Sequence, residues 1–311
     1  MKRPLTNVAA SVRQRLLNLA IQRGEEFQSI LVRFANERLI YRLAVSSHAG
    51  DFVLKGAMLL YAWSAFPFRA TQDVDLLGRG EITAESLTSV FRELCEAKVA
   101  DDGLEFQAKT VRVGLIREAQ EYGGYRVKLQ ARLTAAKVDL QVDVGIGDAV
   151  TPRPTLIDYP TLLDFPAPRL RAYSREASVA EKLHAMVDHG FENSRMKDFF
   201  DVWALSRDFA FEGDRLSAAI AATFKRRGTD ILAERPVAFT RRFAEDPTKL
   251  KQWEAFLVRA RVAKEPPPFG VVVSLVADFL LPSVEAARTG ARFELAWPPG
   301  GPWATMATAK K

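Results

Sequence analysis

Apolar positions recur at helical spacing from residue 8 to 46, where Val12, Leu16, Leu19, Ile30, Leu31, Phe34, Leu39 and Leu43 stand among arginines; two helices are predicted. In the next stretch, DFVLKGAMLLYAWSAFPFR, a short apolar strand meets Lys55-Gly56 and turns directly into a helix of about a dozen residues, which Pro67 breaks. Residues 71–77 alternate carboxylates with apolar side chains, the period of a strand with one polar face.

The segment ITAESLTSVFRELCEA reads as a helix with Thr83 at its N-cap and Ser86 beyond. Three alternating stretches, 104–113, 125–133 and 136–146, predict neighbouring strands of one sheet, the first two flanking a Gly123-Gly124 turn. The proline-rich residues 151–168 forbid a regular helix and read as a linker. Helical spacing then dominates: 178–189, 195–207, 213–226, 250–263 and 271–280, with an arginine-rich stretch near 235–242. The expected fold is α/β (α+β): residues 1–150 as a sheet domain with N-terminal helices, 151–168 as linker, 169–295 as a helical domain and 296–311 as a flexible tail.

Composition sets the surroundings. At 311 residues, 48% hydrophobic and 26% charged, the chain has the length and composition for two domains of ordinary size or one large one, with a substantial core. A formal net charge of +6 favours an anionic partner, nucleic acid first. The single cysteine, Cys95, excludes an intrachain disulfide and is not spaced as part of a zinc site, which points to a reducing compartment. The N-terminal stretch is interrupted by Arg13, Arg15 and Arg23 and holds no signal-peptide core. No window is expected to reach the ~20 apolar residues of a membrane helix. A cytoplasmic location without membrane contact is therefore expected.

Candidate chemistry concentrates on two carboxylates. Asp73 and Asp75 stand two apart on the predicted strand, so both project from one face with Cα atoms about 7 Å apart. Like charges that close favour a cation between them. A hard divalent ion, Mg²⁺ or Mn²⁺, takes one or two carboxylates and fills its shell with water and phosphate oxygens. Alternation along 137–144 puts Asp139, Gln141 and Asp143 on one face. Asp143, late in the strand before Gly145-Ile146-Gly147-Asp148, is the preferred third acid, with Asp139 the alternative. Alone, an Asp-x-Asp is more often a solvated strand face.

Lys55-Gly56-Ala57 lies between strand and helix, where backbone N–H groups and the helix dipole receive an anion and glycine admits close approach. Alone, this is more often a simple turn with a lysine on its rim. Followed by Asp-x-Asp on the next strand, it becomes the arrangement in which a triphosphate bridges backbone and metal.

These residues resemble the AbiEii-type nucleotidyltransferase toxins, MenT proteins included, within the DNA polymerase beta-like superfamily. The resemblance rests on Phe52-Val53-Leu54-Lys55-Gly56-Ala57-Met58-Leu59-Leu60, on Arg69-Ala70-Thr71-Gln72-Asp73-Val74-Asp75-Leu76-Leu77, and on Asp143 with its following Gly-Asp. It continues through Ala180-Glu181-Lys182-Leu183-His184-Ala185-Met186 and Asn193-Ser194-Arg195-Met196-Lys197-Asp198-Phe199-Phe200-Asp201-Val202-Trp203.

The resemblance implies a polymerase beta-like nucleotidyltransferase sheet flanked by helices, followed by a C-terminal helical bundle. It further implies metal-dependent transfer of NMP from an NTP to an acceptor hydroxyl, with release of pyrophosphate. The implied acceptor is RNA, the tRNA 3′ end, and the implied setting is a toxin–antitoxin pair in phage defence with a cognate antitoxin. Carried over, Asp73, Asp75 and Asp143 bind metal and serve catalysis together with Lys182 and Asp198. Lys55, Gly56, Ala57, Lys182, Arg195 and Asp201 contact nucleotide. At Ala57 the chain departs from the superfamily's usual Gly-Ser, which removes a hydroxyl contact to phosphate.

Spacing alone leaves alternatives open. Arg195, Asp198 and Asp201 share one helical face and equally describe an ion-pair cluster, so Asp201 is as readily structural as functional. His184 and His189, five apart, do not align as a metal pair. Lys225, Arg226, Arg227, Arg235, Arg241, Arg242, Lys249 and Lys251 are candidates for an RNA-backbone track or a solvated face. Competing functions are a nucleotide-binding module without turnover, transfer to a protein hydroxyl, and operator binding, for which no helix-turn-helix signature exists.

Overall fold

The computed structural model describes residues 7–64, 69, 71–116, 123–147, 150–231, 233–260, 262 and 265–305. The chain forms two compact units, one comprising Met1–Ala65, Ala70–Asp148 and Thr155–Ala172, the other Phe66–Arg69, Ala149–Pro154 and Tyr173–Lys311.

The first unit is a seven-stranded mixed sheet with helices. In chain order it contains α1 (Val8–Arg23), α2 (Phe27–Val45), β1 (Phe52–Lys55), α3 (Leu59–Trp63), β2 (Val74–Gly78) and α4 (Ala84–Glu96). These are followed by β3 (Leu104–Leu115), β4 (Gly124–Leu133), β5 (Ala136–Ile146), β6 (Thr155–Asp158) and β7 (Arg169–Ala172). The strand order is β3-β4-β5-β2-β1-β7-β6. β2 runs parallel to β5 and β1 parallel to β7, the other pairs being antiparallel.

Alternation decides which face is buried. Val138, Leu140, Val142 and Val144 of β5 and Val127, Leu129, Ala131 and Leu133 of β4 are buried, while residues between them face outward. The predicted cap of α4 is realised as a capping box: Thr83 and Ser86 exchange backbone-to-hydroxyl bonds of 3.0 and 3.1 Å.

α2 has no polar stripe, since it is buried nearly all round. Ile30, Leu31, Phe34, Leu39 and Leu43 pack apolar neighbours, while Glu37, Arg38 and Arg42 are buried with partners. Arg38 and Arg42 both grip Asp102, at 3.1 and 2.6 Å. Arg38 also donates to the carbonyl of Pro166, and Glu37 accepts the amide of Leu162 at 2.7 Å. These contacts tie residues 162–166 of the proline-rich stretch to the sheet unit. Its residues 155–158 form the edge strand β6, so most of the expected linker is part of the first unit. Long charged side chains reaching across from α2 are what capture it, and local sequence carries no sign of them.

The second unit is helical. It comprises α5 (Arg175–Asp188), α6 (Met196–Asp208), β8 (Phe211–Glu212), α7 (Gly213–Arg226), α8 (Arg241–Ala244), α9 (Pro247–Ala260), α10 (Phe269–Thr289), β9 (Leu295–Trp297) and β10 (Ala304–Thr305). α10 is longer than its predicted 271–280. It is also apolar and long enough to cross a membrane, contrary to the sequence expectation. Val272, Val276, Phe279 and Leu280 are buried in the second unit, where α10 meets α6 and α7; a core helix acquires this composition by burial.

Residues 296–305, expected as part of a flexible tail, carry β9 and β10. Trp297 donates to the Ser206 carbonyl at 2.7 Å, and Trp303 to the Phe279 carbonyl at 2.9 Å while stacking on the Phe279 ring. Two large rings with satisfied N–H groups outweigh the turn-forming glycines and prolines around them. The rest of that tail, 306–311, lies outside the described residues.

Candidate active site

Register brings the first group together. In the β1–β2 ladder Lys55 is opposite Asp75, in β2–β5 Asp75 is opposite Asp143, and in β4–β5 Asp143 is opposite Arg126. Lys55, Asp75, Asp143 and Arg126 thus form one row across four adjacent strands, with two carboxylates between two cations. Directly opposed positions place Cβ atoms about 5 Å apart, close enough for neighbouring side chains to meet.

Gly56 has φ +71°, the left-handed region that glycine enters without penalty. A Cβ built there would lie 2.6 Å from Cγ of Asp75. The Asp75 carboxylate therefore rests on the Gly56 backbone, and only glycine leaves it room. Beyond Gly56 the chain forms a 3-10 turn, Gly56–Met58, and then the five residues of α3, shorter than the predicted dozen. Ala57 points its methyl into the interior, with 9% of its surface exposed. The Lys55 ammonium lies over Gly145, 3.5 Å from where a Cβ would stand.

Asp143 is held by Arg126 in a bidentate pair, Nε to Oδ1 at 2.9 Å and Nη2 to Oδ2 at 2.8 Å. Asp139, the alternative third acid, lies four residues earlier, before the stretch of β5 paired with β2, and accepts a 2.7 Å bond from the Gln130 amide. Asp73 sits one residue before β2, exposed, in a segment anchored by the Asn36 amide, which donates to the Gln72 carbonyl at 2.8 Å. Asp148, five residues after Asp143, lies outside the described residues.

As donors these acids suit a hard divalent ion, all oxygen and all anionic. In grouping they do not form a ready-made metal site: among the described residues no three of His, Cys, Asp and Glu gather in that way. The cation against Asp143 in this structure is Arg126, and an ion at Asp143 would compete with it.

The second group lies within the helical unit. Lys182 on α5 donates to Asp201 at 2.6 Å and to Asp198 at 3.1 Å, both acids on α6. Arg195, at the N-terminus of α6, bonds Asp198 at 2.7 Å. Arg69 grips Asp201 with two bonds of 2.7 and 2.8 Å. Both carboxylates are buried.

Burial alone would raise the pKa of Asp201, yet Arg69 and Lys182 hold it well below the usual carboxylate range. For Asp198, burial is likewise opposed by Lys182 and Arg195, and its pKa is lowered. Burial would lower the pKa of Lys182, but Asp201 and then Asp198 raise it. Lys197 moves the other way, lowered by burial and by the charge of Arg195. The ion-pair cluster that spacing allowed is thus present, joined by a member that spacing did not indicate, Arg69.

Arg126 was also not singled out from sequence. Its only signal is a basic residue on a polar strand face, which gains meaning once register sets it opposite Asp143. Of the basic candidates, Lys249 is buried and donates to the Asn193 carbonyl at 3.0 Å, and Arg241 pairs with Glu245. His184 is buried against Thr229 at 2.8 Å.

Comparison with known proteins agrees with this architecture. A sequence model described as "Nucleotidyl transferase AbiEii toxin, Type IV TA system" matches residues 38–283. No curated protein sequence matches the chain. Among solved structures, JHP933 from Helicobacter pylori is similar at TM-score 0.51 and 14% identity, over 85% of this chain and 97% of that one. An H. pylori protein described as a candidate nucleotidyltransferase is similar at TM-score 0.52 and 14% identity, over 86% and 100%. At that identity these two structures bear on the fold.

Proposed function

The chain belongs to the AbiEii family of nucleotidyltransferase toxins, and we propose that it transfers an NMP from an NTP to the 3′ end of an RNA, tRNA foremost, as the toxin of a toxin–antitoxin pair in phage defence. The observation that carries the reading is the row Lys55–Asp75–Asp143–Arg126 with Asp75 seated on Gly56. It sets two carboxylates side by side next to a glycine backbone turn.

Asp73, Asp75 and Asp143 are the residues to hold Mg²⁺ or Mn²⁺, which when bound would neutralise phosphate charge and make the acceptor hydroxyl more acidic. The acceptor oxygen attacks the α-phosphorus in line, its proton passing to Asp143. The bond from the α-phosphorus to the bridging oxygen breaks, and pyrophosphate leaves. The Gly56 backbone and the Lys55 ammonium position the triphosphate, with Ala57 contributing its backbone in place of a hydroxyl. Lys182, Arg195, Asp198 and Asp201 keep the nucleotide role that the family resemblance implies for them, and within the helical unit the two acids hold the two cations in place.

The test is incubation with total RNA, Mg²⁺ and each α-labelled NTP in turn. Label should enter RNA with the native chain and not with Asp75→Ala; equal labelling by both would reject the site. Label in protein instead of RNA would select a protein hydroxyl as acceptor. A second reading, nucleotide binding without turnover, is favoured by the Arg126 grip on Asp143 and by Ala57. NTP binding with no labelled product would establish it. Growth arrest on expression, relieved by a neighbouring gene's product, tests the toxin role.

A further inference from the structure

A cleft of about 580 Å³ opens beside Asp73 on the sheet unit, lined among others by Lys109, Arg112, Lys128, Gln130 and Gln141. Three features build it. First, β2 joins β5 only from Val74↔Val142 onward, so the β5 residues Asp139, Leu140 and Gln141 have β4 on one side and the cleft on the other. Second, β3 bulges: Gln107 is opposite Gln130 and Arg112 opposite Lys128, so a five-residue step on β3 meets a two-residue step on β4, and Lys109 and Thr110 leave the ladder. Third, the bulge is braced from within. Thr110 donates to the Gln107 carbonyl at 2.6 Å and accepts from the Gln130 backbone N–H at 2.9 Å, and Arg112 donates to the carbonyls of Lys109 and Val111, both at 2.9 Å.

The charges of this cleft stay available. Arg112 is held by carbonyls, not by a carboxylate, and Lys109 and Lys128 are exposed and unpaired with acids among the described residues. The acids lining it are Asp73 and Asp139, and Asp139 is engaged by Gln130. Three cations spaced over two strands beside uncharged amides suit a polyanion that also carries hydroxyls and base edges.

We infer that this cleft binds the 3′-terminal strand of the RNA acceptor, with Lys109, Arg112 and Lys128 on successive phosphates and the terminal hydroxyl directed past Asp73 and along β5 toward Asp143. The inference rests on the nucleotidyl-transfer reading above and adds the acceptor's path to it. Lys109, Arg112 and Lys128 are positioning residues that leave nucleotide binding to others.

The experiment uses the full chain and the double variant Lys109→Gln/Lys128→Gln. Each is titrated against a labelled 12-nucleotide single-stranded RNA at several salt concentrations, alongside titration with Mg²⁺ and a non-hydrolysable NTP. Loss of two phosphate contacts should weaken RNA binding about tenfold and reduce the salt slope by about 1.4. NTP affinity and Tm should be unchanged. Unchanged RNA affinity, or no RNA binding by the native chain, overturns the cleft assignment, while label transfer with an intact NTP site keeps the enzymatic reading standing. A fall in NTP affinity instead makes the cleft part of the nucleotide site and overturns the inference. Equal binding of the matching DNA overturns the assignment to RNA. If the native chain binds RNA but neither binds nor transfers NTP, the enzymatic reading fails by itself.

Discussion

Asp75 rests on Gly56, so closely that a methyl group on that glycine would lie 2.6 Å from the carboxylate carbon. The glycine is needed twice, for its φ of +71° and for the room it leaves. Gly56→Ala should therefore destabilise the sheet unit by roughly 2–4 kcal/mol and displace Asp75. Urea unfolding measures the first effect and label transfer from NTP the second. A variant with native stability and full transfer would show that the contact is incidental.

The Arg126 grip on Asp143 competes with any ion at that carboxylate. The pair is partly exposed, at 40% and 21%, so its worth is on the order of 1 kcal/mol. Arg126→Gln should accordingly tighten Mn²⁺ binding roughly fivefold, read by calorimetry or by water-proton relaxation. Weaker binding in the variant would mean that Arg126 supports the metal site.

In the helical unit, Asp201 is fully buried and satisfies both Arg69 and Lys182. Asp201→Ala leaves two cations facing a vacated carboxylate and should cost about 3–5 kcal/mol in unfolding experiments. Because the folded pKa values of Asp198 and Asp201 are lowered, their contribution is fully present above the unfolded carboxylate range and is lost as pH falls from that range down through the lowered folded values. The acid limb of the native stability curve should accordingly be steeper than that of Asp201→Asn.

Glu37 behaves in the opposite sense. Burial pushes its pKa up to about 7 against the pull of the Leu162 amide and Arg38. Between the unfolded value and pH 7 the folded state holds the extra proton, so stability falls as pH rises through that window, by on the order of 2–3 kcal/mol. Glu37→Gln keeps an acceptor for the Leu162 amide and should flatten the dependence. Parallel stability curves for native and variant between pH 5 and 7.5 would remove Glu37 as the cause.

Much of the site was legible locally. The alternation of 136–146 set Asp139, Gln141 and Asp143 on one face, Thr83 announced its cap, and Lys55-Gly56 ahead of Asp-x-Asp marked the glycine turn between strand and helix. Those features depend on backbone period and on conformations that single residues prefer, both properties of short segments. The C-terminal residues 296–305 misled by the same logic, since their glycines and prolines describe turns while Trp297 and Trp303 decide where those turns are held.

What residue order determined by itself was strands β1 to β5 and most of the helices, their buried faces and the identity of the acids. Tertiary structure alone decided partnership: that Asp75 meets Asp143 across a parallel ladder, that Arg126 closes on Asp143, and that Arg69 reaches Asp201 over a separation of 132 residues. A one-residue slip of β5 against β2 would leave every local pattern intact and turn Asp143 to the buried face. Only the packing of the whole sheet, with Val142 and Val144 seated in the interior, selects against it.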